Sequence, residues 1–370
     1  MDPKAAGLYI ETPCISSPEL SRKAGCNIFL KLENLQPGGS FKSRGIGTMM
    51  ARAVSSSSTG KPRVFCSSGG NAGLACATAA RSLGLSCDVF LPSVAPELVV
   101  QKLQSRGAAT HRAGDLFPQA DAACRKQAAL DPDGLYVHPF DHPDLWDGHA
   151  TLVDELAAQD ANAFFGKNRG IDAIVCNVGG GGLLNGVMEG IERNYNTKSN
   201  GATHGHVFKP RPRVLAIETE GADSLAASIR AREHVTLPAM TSAATSLGAP
   251  RVSAKTFDWA QKYNATVMCS SPSSASEASQ TLPQLVSAVV PDAAAVSACA
   301  EFLDDARLLI EMSCGATLAS AYDGGQLLRS AFGDGVDDQS WSQMNVVLVV
   351  CGGSLISAEL LAAHKSKFGV

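Results

Sequence analysis

Apolar residues along this chain fall into short continuous runs, separated by longer Ala- and Leu-rich stretches with helical spacing. Of the runs Ile28–Glu33, Val64–Ser68, Cys87–Leu91, Ala173–Val178, Val214–Glu218 and Asn345–Cys351, several are nearly continuous in apolar residues, without the polar alternation of half-exposed strands. They read as central parallel strands covered on both faces. Between them, Asn71–Leu83, Pro96–Arg106, Leu116–Ala129, Gly148–Gln159, Ala293–Asp305 and Ala316–Leu328 read as helices. Shorter helical stretches, Gly45–Val54 and Leu184–Glu192, follow glycine-rich turns. Strand, glycine turn and helix in repeated order predict a doubly wound α/β architecture: open, twisted, mostly parallel sheets flanked by helices. Asn194–Arg213 and Ser55–Lys61 carry no apolar period and read as surface loops.

A length of 370 residues suits two domains or one large α/β unit. With 45% hydrophobic and 18% charged residues, the chain is neither disordered nor a coiled coil. Net charge is −4, with no long basic block, so neither a nucleic-acid footprint nor a surface for anionic lipid is expected. The longest uncharged apolar stretches, near Ala173–Met188 and Asn345–Ala358, are interrupted by Gly and Asn and fall short of the roughly 18 residues of a membrane span. No leader of signal-peptide type is visible, and the expectation is a soluble, cytoplasmic protein with no membrane partner. The 11 cysteines are odd in number, dispersed and without a CxxC pair, which favours small buried hydrophobes over disulfides or zinc ligands.

Several chemistries fail at the motif level. No GxxxxGK[ST], GxSxG or HExxH occurs, and the Gly179–Gly182 run lacks the GxGxxG order of a dinucleotide site. His138, His142 and His149 lie close together, but Pro139 and Pro143 argue against a helix aligning them as metal ligands. A loop leading into a helix near Gly148 is the simpler expectation.

Three glycine-rich segments at strand ends carry candidate chemistry. In Gln36-Pro37-Gly38-Gly39-Ser40-Phe41-Lys42-Ser43-Arg44-Gly45, a lysine stands between a tight turn and a helix, with Phe41 placed to shield it from water. A lysine that forms a Schiff base needs such partial desolvation; a solvated loop lysine is the plain alternative. Ser67-Ser68-Gly69-Gly70-Asn71-Ala72-Gly73 precedes a helix, where unpaired N–H groups and small side chains admit an anion. A βα turn with Asn71 as N-cap is its bland reading. Gly179-Gly180-Gly181-Gly182-Leu183 follows a strand and precedes a helix, as a backbone cradle for phosphate would; close packing alone is the weaker account.

Taken together with Thr12-Pro13, Pro139-Phe140-Asp141, Trp146-Asp147-Gly148-His149 and Val350-Cys351-Gly352-Gly353-Ser354, these segments resemble the fold-type II pyridoxal-phosphate (PLP) enzymes, and within them the L-serine dehydratases. The resemblance spans nearly the whole chain. It implies a two-domain, tryptophan synthase β-like fold: a small domain over 41–139 and a large PLP-binding domain over 1–40 and 140–370, with PLP in the cleft. It implies α,β-elimination of L-serine to pyruvate and ammonia, and of L-threonine to 2-oxobutanoate, in amino-acid catabolism that feeds gluconeogenesis, by a homodimer. Lys42 would hold PLP and act as base on the substrate Cα. Phe41 would lie by the cofactor ring; Ser68, Gly69, Asn71 and Ala72 would surround the substrate carboxylate, with Asn71 also near the phenolic oxygen. Gly179, Gly180, Gly181, Gly182 and Leu183 would bind the phosphate, and Cys351 would face the pyridine nitrogen. Glu218, Ala222 and Ser224 match family positions that would coordinate potassium, although a capped turn explains them as well. Cys351 is otherwise a core residue at a strand end. Gly69 and Gly39 depart from the pattern: dehydratases more often carry alanine at the first, and alanine or a hydroxyl residue at the second. Threonine deaminase, β-replacement of the cysteine synthase type, and a non-catalytic PLP-binding protein remain the rival readings.

Overall fold

The computed structural model describes residues 1–162, 164–166, 169–195, 211–268 and 283–370, so most of the expected loop over 194–213 lies outside them. Strands form at β1 (Cys14–Ser16), β2 (Asn27–Leu32), β3 (Arg63–Cys66), β4 (Cys87–Leu91), β5 (Ala109–Arg112), β6 (Gly134–Val137), β7 (Ala173–Asn177), β8 (Arg213–Thr219), β9 (Thr266–Val267), β10 (Leu285–Val290) and β11 (Asn345–Val350). The chain divides into two units. One comprises Met1–Thr12, Glu33–Thr151 and Gly352–Leu355, and the other Pro13–Leu32, Leu152–Cys351 and Ile356–Val370. The segment 41–139 falls wholly within the first unit, which also takes in the chain start, the turn after Leu32 and residues up to Thr151.

The first unit is built on a four-stranded sheet, β5-β4-β3-β6, in which every pair is parallel. Its core gathers Ile46 and Met50 from helix Lys42–Ser56, Leu74 and Ala77 from helix Asn71–Leu83, and Val64, Val89 and Leu91 from the strands. The second unit carries a seven-stranded sheet, β1-β2-β11-β7-β8-β10-β9. It is parallel throughout except for the edge pair β1–β2. β7 and β11 are buried at every residue, which is why their sequences show continuous apolar runs instead of alternation.

Most expected elements stand within a residue or two of their place; Leu184–Glu192 lengthens to Gly182–Tyr195, and three others also differ. Ala316–Leu328 is two helices, Met312–Tyr322 and Gln326–Phe332, interrupted by Gly324-Gly325. The helix expected from Gly148 begins at Pro143, because proline is compatible with a first helical position, where its missing N–H has no partner to lose. His142, just before it, accepts the Asp144 backbone N–H on Nδ1 at 3.1 Å. The lysine-bearing helix starts at Lys42 itself, ahead of the expected Gly45. Among the described residues, no helix is long and apolar enough to cross a membrane, and no cluster of His, Cys, Asp or Glu could hold a metal ion.

Candidate active site

In the first unit, the turn before Lys42 is packed against the segment that follows β11. Ser40 pairs with Gly352 in an isolated bridge, and Gly353 donates its N–H to the Gly39 carbonyl at 2.9 Å. Gly39 has φ +82°, and a Cβ there would stand 2.0 Å from Ser354 Oγ. The departure from alanine or a hydroxyl residue at this position is thereby explained: the space belongs to Ser354. Beyond the turn, Arg44 is fully buried and forms a two-pronged pair with buried Glu33, Nε and Nη2 each 2.7 Å from a carboxylate oxygen. Thr12 donates to the same carboxylate at 2.6 Å, and Thr151 accepts from Arg44 Nη1 at 2.9 Å. This network clamps the first turn of the helix that carries Lys42.

The Lys42 ε-amine donates to the Pro139 carbonyl at 2.5 Å and lies 5.1 Å from the Phe41 ring centre. Phe41 in turn lies 4.9 Å from the imidazole of buried His149, which occupies the space left by Gly45, two elements of one packed corner. Burial, with Lys42 and Arg44 nearby, holds His149 well below its ordinary pKa, so it packs as a neutral ring. The expected histidine cluster is thus divided among a packed ring, a helix cap and a turn brace, with no shared ligand point.

The loop Ser67–Gly70 precedes helix Asn71–Leu83, whose N-cap is Gly70. Asn71 therefore does not cap its own helix. Its Oδ1 accepts the backbone N–H of Ser354 at 2.9 Å. The first-turn N–H groups of this helix have no helical acceptor, and Ser68 Oγ accepts from Gly70 N at 3.2 Å. Gly69 sits under Leu91 and Val99, whose methyl carbons would lie 3.1 and 3.2 Å from an added Cβ. Ala72 is buried behind the loop. Ser67 donates to Asp121, which also accepts from Tyr136 and from Arg125 at 2.7 Å. Burial opposes the charge on Asp121, but these hydrogen bonds outweigh it and hold the carboxyl below its ordinary range.

The second unit contributes a separate set. β7 ends at Asn177 and runs into Val178 and the four glycines; helix Gly182–Tyr195 starts on the last of them, with Leu183 in its first turn. Gly181 has φ +91°, and a Cβ there would lie 1.8 Å from Thr256 Oγ1. At Gly179 it would lie 3.0 Å from the Leu247 backbone. The bend is held from beneath: Ser253 donates its N–H to the Gly180 carbonyl at 3.0 Å, and Asn185, Ser253 and Thr256 form a buried ring of side-chain hydrogen bonds of 2.8–2.9 Å. A backbone this bare, at the N-terminus of a 14-residue helix, has the form that could hold an anionic group such as a phosphate ester. Only small residues leave room for it, so the donors present fit PLP.

Cys351 follows the neighbouring strand β11, and its Sγ accepts from Asn177 Nδ2 at 3.0 Å. The hydrogen-bonded Cys314 thiol and full burial keep the Cys351 thiol well above its ordinary pKa, hence protonated. Glu218, at the end of β8, is fully buried and accepts the Leu225 and Ala226 backbone N–H groups, each at 2.8 Å. Burial pushes its carboxyl up to about 8. This carboxylate caps helix Ser224–Ala231, which is the plain alternative to a cation site. Ser224 Oγ is buried with no hydrogen-bond partner among the described residues, and Ala222 donates its N–H to the Thr219 carbonyl at 2.9 Å.

Sequence reasoning gave no site role to Glu33, Pro139, Asn177, Ser253 or Thr256. Ser253 alone left a local signal, as an N-cap three residues before Thr256; the others act through contacts distant in the chain.

Comparison with known proteins gives a consistent picture. Residues 6–285 match the family described as "Pyridoxal-phosphate dependent enzyme". The chain is 39% identical over 367 residues to the human protein named "Serine dehydratase-like", covering 99% of this chain and 97% of that one. It is 36% identical over 370 residues to an L-serine dehydratase of Saccharomyces cerevisiae (strain AWRI1631), covering 98% of each. Among solved structures, a fungal L-serine ammonia-lyase from Rhizomucor miehei superposes with a TM-score of 0.78 at 31% identity, over 98% of this chain and 99% of the other.

Proposed function

This chain belongs to the pyridoxal-phosphate dependent enzyme family, and on that footing we propose that it is an L-serine ammonia-lyase, releasing pyruvate and ammonia from L-serine. Full-length likeness to L-serine dehydratases supports this reading. The observation that carries it is Cys351, a thiol and not a carboxylate just past the strand beside the glycine run, its Sγ accepting from Asn177 at 3.0 Å.

When bound, PLP supplies the electron sink that acidifies the substrate Cα–H. Lys42 is assigned as the residue that holds the cofactor and then takes the Cα proton on its ε-amine. The N–H groups of Asn71 and Ala72, with Ser68 and Gly69 as the neck of the turn, bind the substrate carboxylate, and Asn71 is assigned to the phenolic oxygen. Gly179 to Leu183 hold the phosphate, and Phe41 keeps water from the lysine. A neutral thiol at Cys351 would not hold the cofactor's ring nitrogen protonated as a carboxylate would, a setting that would favour loss of the β-hydroxyl, leaving as water with a proton, over transamination. Gly69 has no side-chain acid with which to reprotonate Cα, so racemisation is minor. L-Threonine enters the proposal as a second substrate giving 2-oxobutanoate; one relative, at 34% identity, is named "Catabolic L-serine/threonine dehydratase".

The reading extends to a cytoplasmic homodimer, and to potassium at Glu218, Ala222 and Ser224. The buried Ser224 oxygen supports the latter, and potassium chloride raising the melting temperature more than choline chloride tests it. The main test is purification with an absorption spectrum and a serine assay, Lys42→Ala alongside. A yellow protein that makes pyruvate, and an inert colourless variant, are expected. Full activity in Lys42→Ala removes the assignment, cysteine formed from serine and sulfide in place of pyruvate indicates β-replacement, and PLP binding without turnover indicates a silent protein.

A further inference from the structure

Three histidines singled out by the sequence include one whose geometry bears directly on Lys42. We propose that His138 is a positioning residue: its Nδ1, accepting the backbone N–H groups of Phe140 and Asp141, fixes the Pro139 carbonyl where it receives the Lys42 ε-amine. The inference rests on the reading of Lys42 given above.

The distances are 2.7 Å from Asp141 N and 3.2 Å from Phe140 N to His138 Nδ1, and 2.5 Å from Lys42 Nζ to Pro139 O. One ring nitrogen thus ties the turn Pro139-Phe140-Asp141 back on itself, as an Asx side chain does in a tight turn. Pro139 has no N–H of its own, so this residue offers the turn only its carbonyl. Two inward N–H groups leave no place for a proton on Nδ1, and the brace works only while the imidazole is neutral. The surroundings keep it so. Burial lowers His138 to about 4, with Arg125, Lys42 and His142 adding to the effect and Asp121 opposing it. Those charges come from every side of the ring: Arg125 and Asp121 from helix Phe117–Leu130, Lys42 from its own helix, His142 from the loop beyond; neutral Tyr136 lies on β6. Phe140 closes the last face edge-on, ring centres 4.7 Å apart.

A carbonyl fixed at this distance is an acceptor that the protonated lysine holds more strongly than the neutral amine does. The turn therefore sets both where the free amine rests and the pH at which it becomes a base, because hydrogen bonding to the charged form favours that form.

The test compares His138→Ala with His138→Asn in the PLP-loaded enzyme. Asparagine can accept the same two N–H groups through its own oxygen; alanine cannot. In His138→Ala, the plateau of kcat is expected to fall at least about tenfold with KM changed less than about threefold, and the acid limb of the kcat–pH profile to move down by about one pH unit. His138→Asn is expected to recover most of both. A melting temperature near wild type in His138→Ala, with plateau and limb unmoved, overturns the proposal. Should the alanine variant not fold, isotope-labelled histidine in the wild-type enzyme decides it. NMR is expected to show His138 Nδ1 unprotonated from about pH 5 to 8, its resonance shifting when the lysine linkage is reduced with borohydride. A protonated Nδ1 at neutral pH, or a resonance indifferent to that reduction, overturns it. Loss of the cofactor band in Lys42→Ala separates failure here from failure of the lysine assignment.

Discussion

Thr256 Oγ1 occupies the point, 1.8 Å away, where a Cβ on Gly181 would have to stand. Since Gly181 also has φ +91°, the packing of Thr256 beneath the glycine run and its backbone geometry both exclude any side chain. Gly181→Ala is expected to cost about 1–3 kcal/mol and to weaken PLP binding more than tenfold, read by thermal melting and by cofactor titration. Adding Thr256→Gly relieves the clash but not the backbone conformation, so the double variant is expected to recover only part of the loss.

Glu33 and Arg44 are both fully buried and paired at 2.7 Å. Glu33→Gln leaves a guanidinium in the interior without its counter-charge. Breaking a buried pair from one side costs about 3–5 kcal/mol, so a large fall in urea midpoint is expected. Glu33→Leu combined with Arg44→Leu is expected to be more stable than Glu33→Gln, since it strands no charge, yet to lose activity because the first turn bearing Lys42 is no longer clamped. Equal stability of Glu33→Gln and wild type would count against the clamp.

Gly69 faces two methyl groups at 3.1 and 3.2 Å from a would-be Cβ, one at the end of Leu91 and one on the stiffer, β-branched Val99. Gly69→Ala therefore asks Leu91 and Val99 to yield by a few tenths of an ångström. A cost of about 1 kcal/mol is expected, with turnover of serine falling less than about tenfold. Val99→Ala in the same chain is expected to restore the melting temperature. A much larger loss, unrelieved by Val99→Ala, would show that position 69 acts on substrate instead of on its packing.

Glu218 titrates near 8 in the folded chain against an ordinary value of 4.5, raised by burial. A raised acid binds its proton more tightly when folded, so its contribution is whole below about pH 4.5 and is lost as pH rises through about 8. Across about pH 5 to 8, the melting temperature of wild type is therefore expected to fall relative to Glu218→Gln, whose amide does not titrate. Parallel curves for the two proteins would refute the assignment. The amide also presents a donor to the Leu225 or Ala226 N–H, so its curve is expected to lie lower at about pH 5.

Two kinds of information separate cleanly in this chain. Helix Asn71–Leu83 and strand Cys87–Leu91 have the bounds their patterns predict, because burial of a whole face or of both faces leaves a local period. β5, by contrast, is a short edge strand with mostly exposed residues, and it left no period to read. The candidate lysine was legible because a turn, an aromatic residue and a helix start adjoin it in the chain, and the glycine run because four such residues in a row stand out in any sequence.

By itself, the sequence determined the well-buried strands β2, β3, β4, β7, β8 and β11 and most of the longer helices, where the bare backbone lies, and which lysine stands at a turn. Only the tertiary structure decided that Asn71 reaches Ser354, 283 residues on, that Glu33 neutralises Arg44, and that Thr256 underlies Gly181. Periodicity records how far each residue is withdrawn from water, a property of its own stretch of chain. Which polar group meets which is set by closure of strands and loops far apart in sequence, and a one-dimensional pattern carries no trace of that meeting.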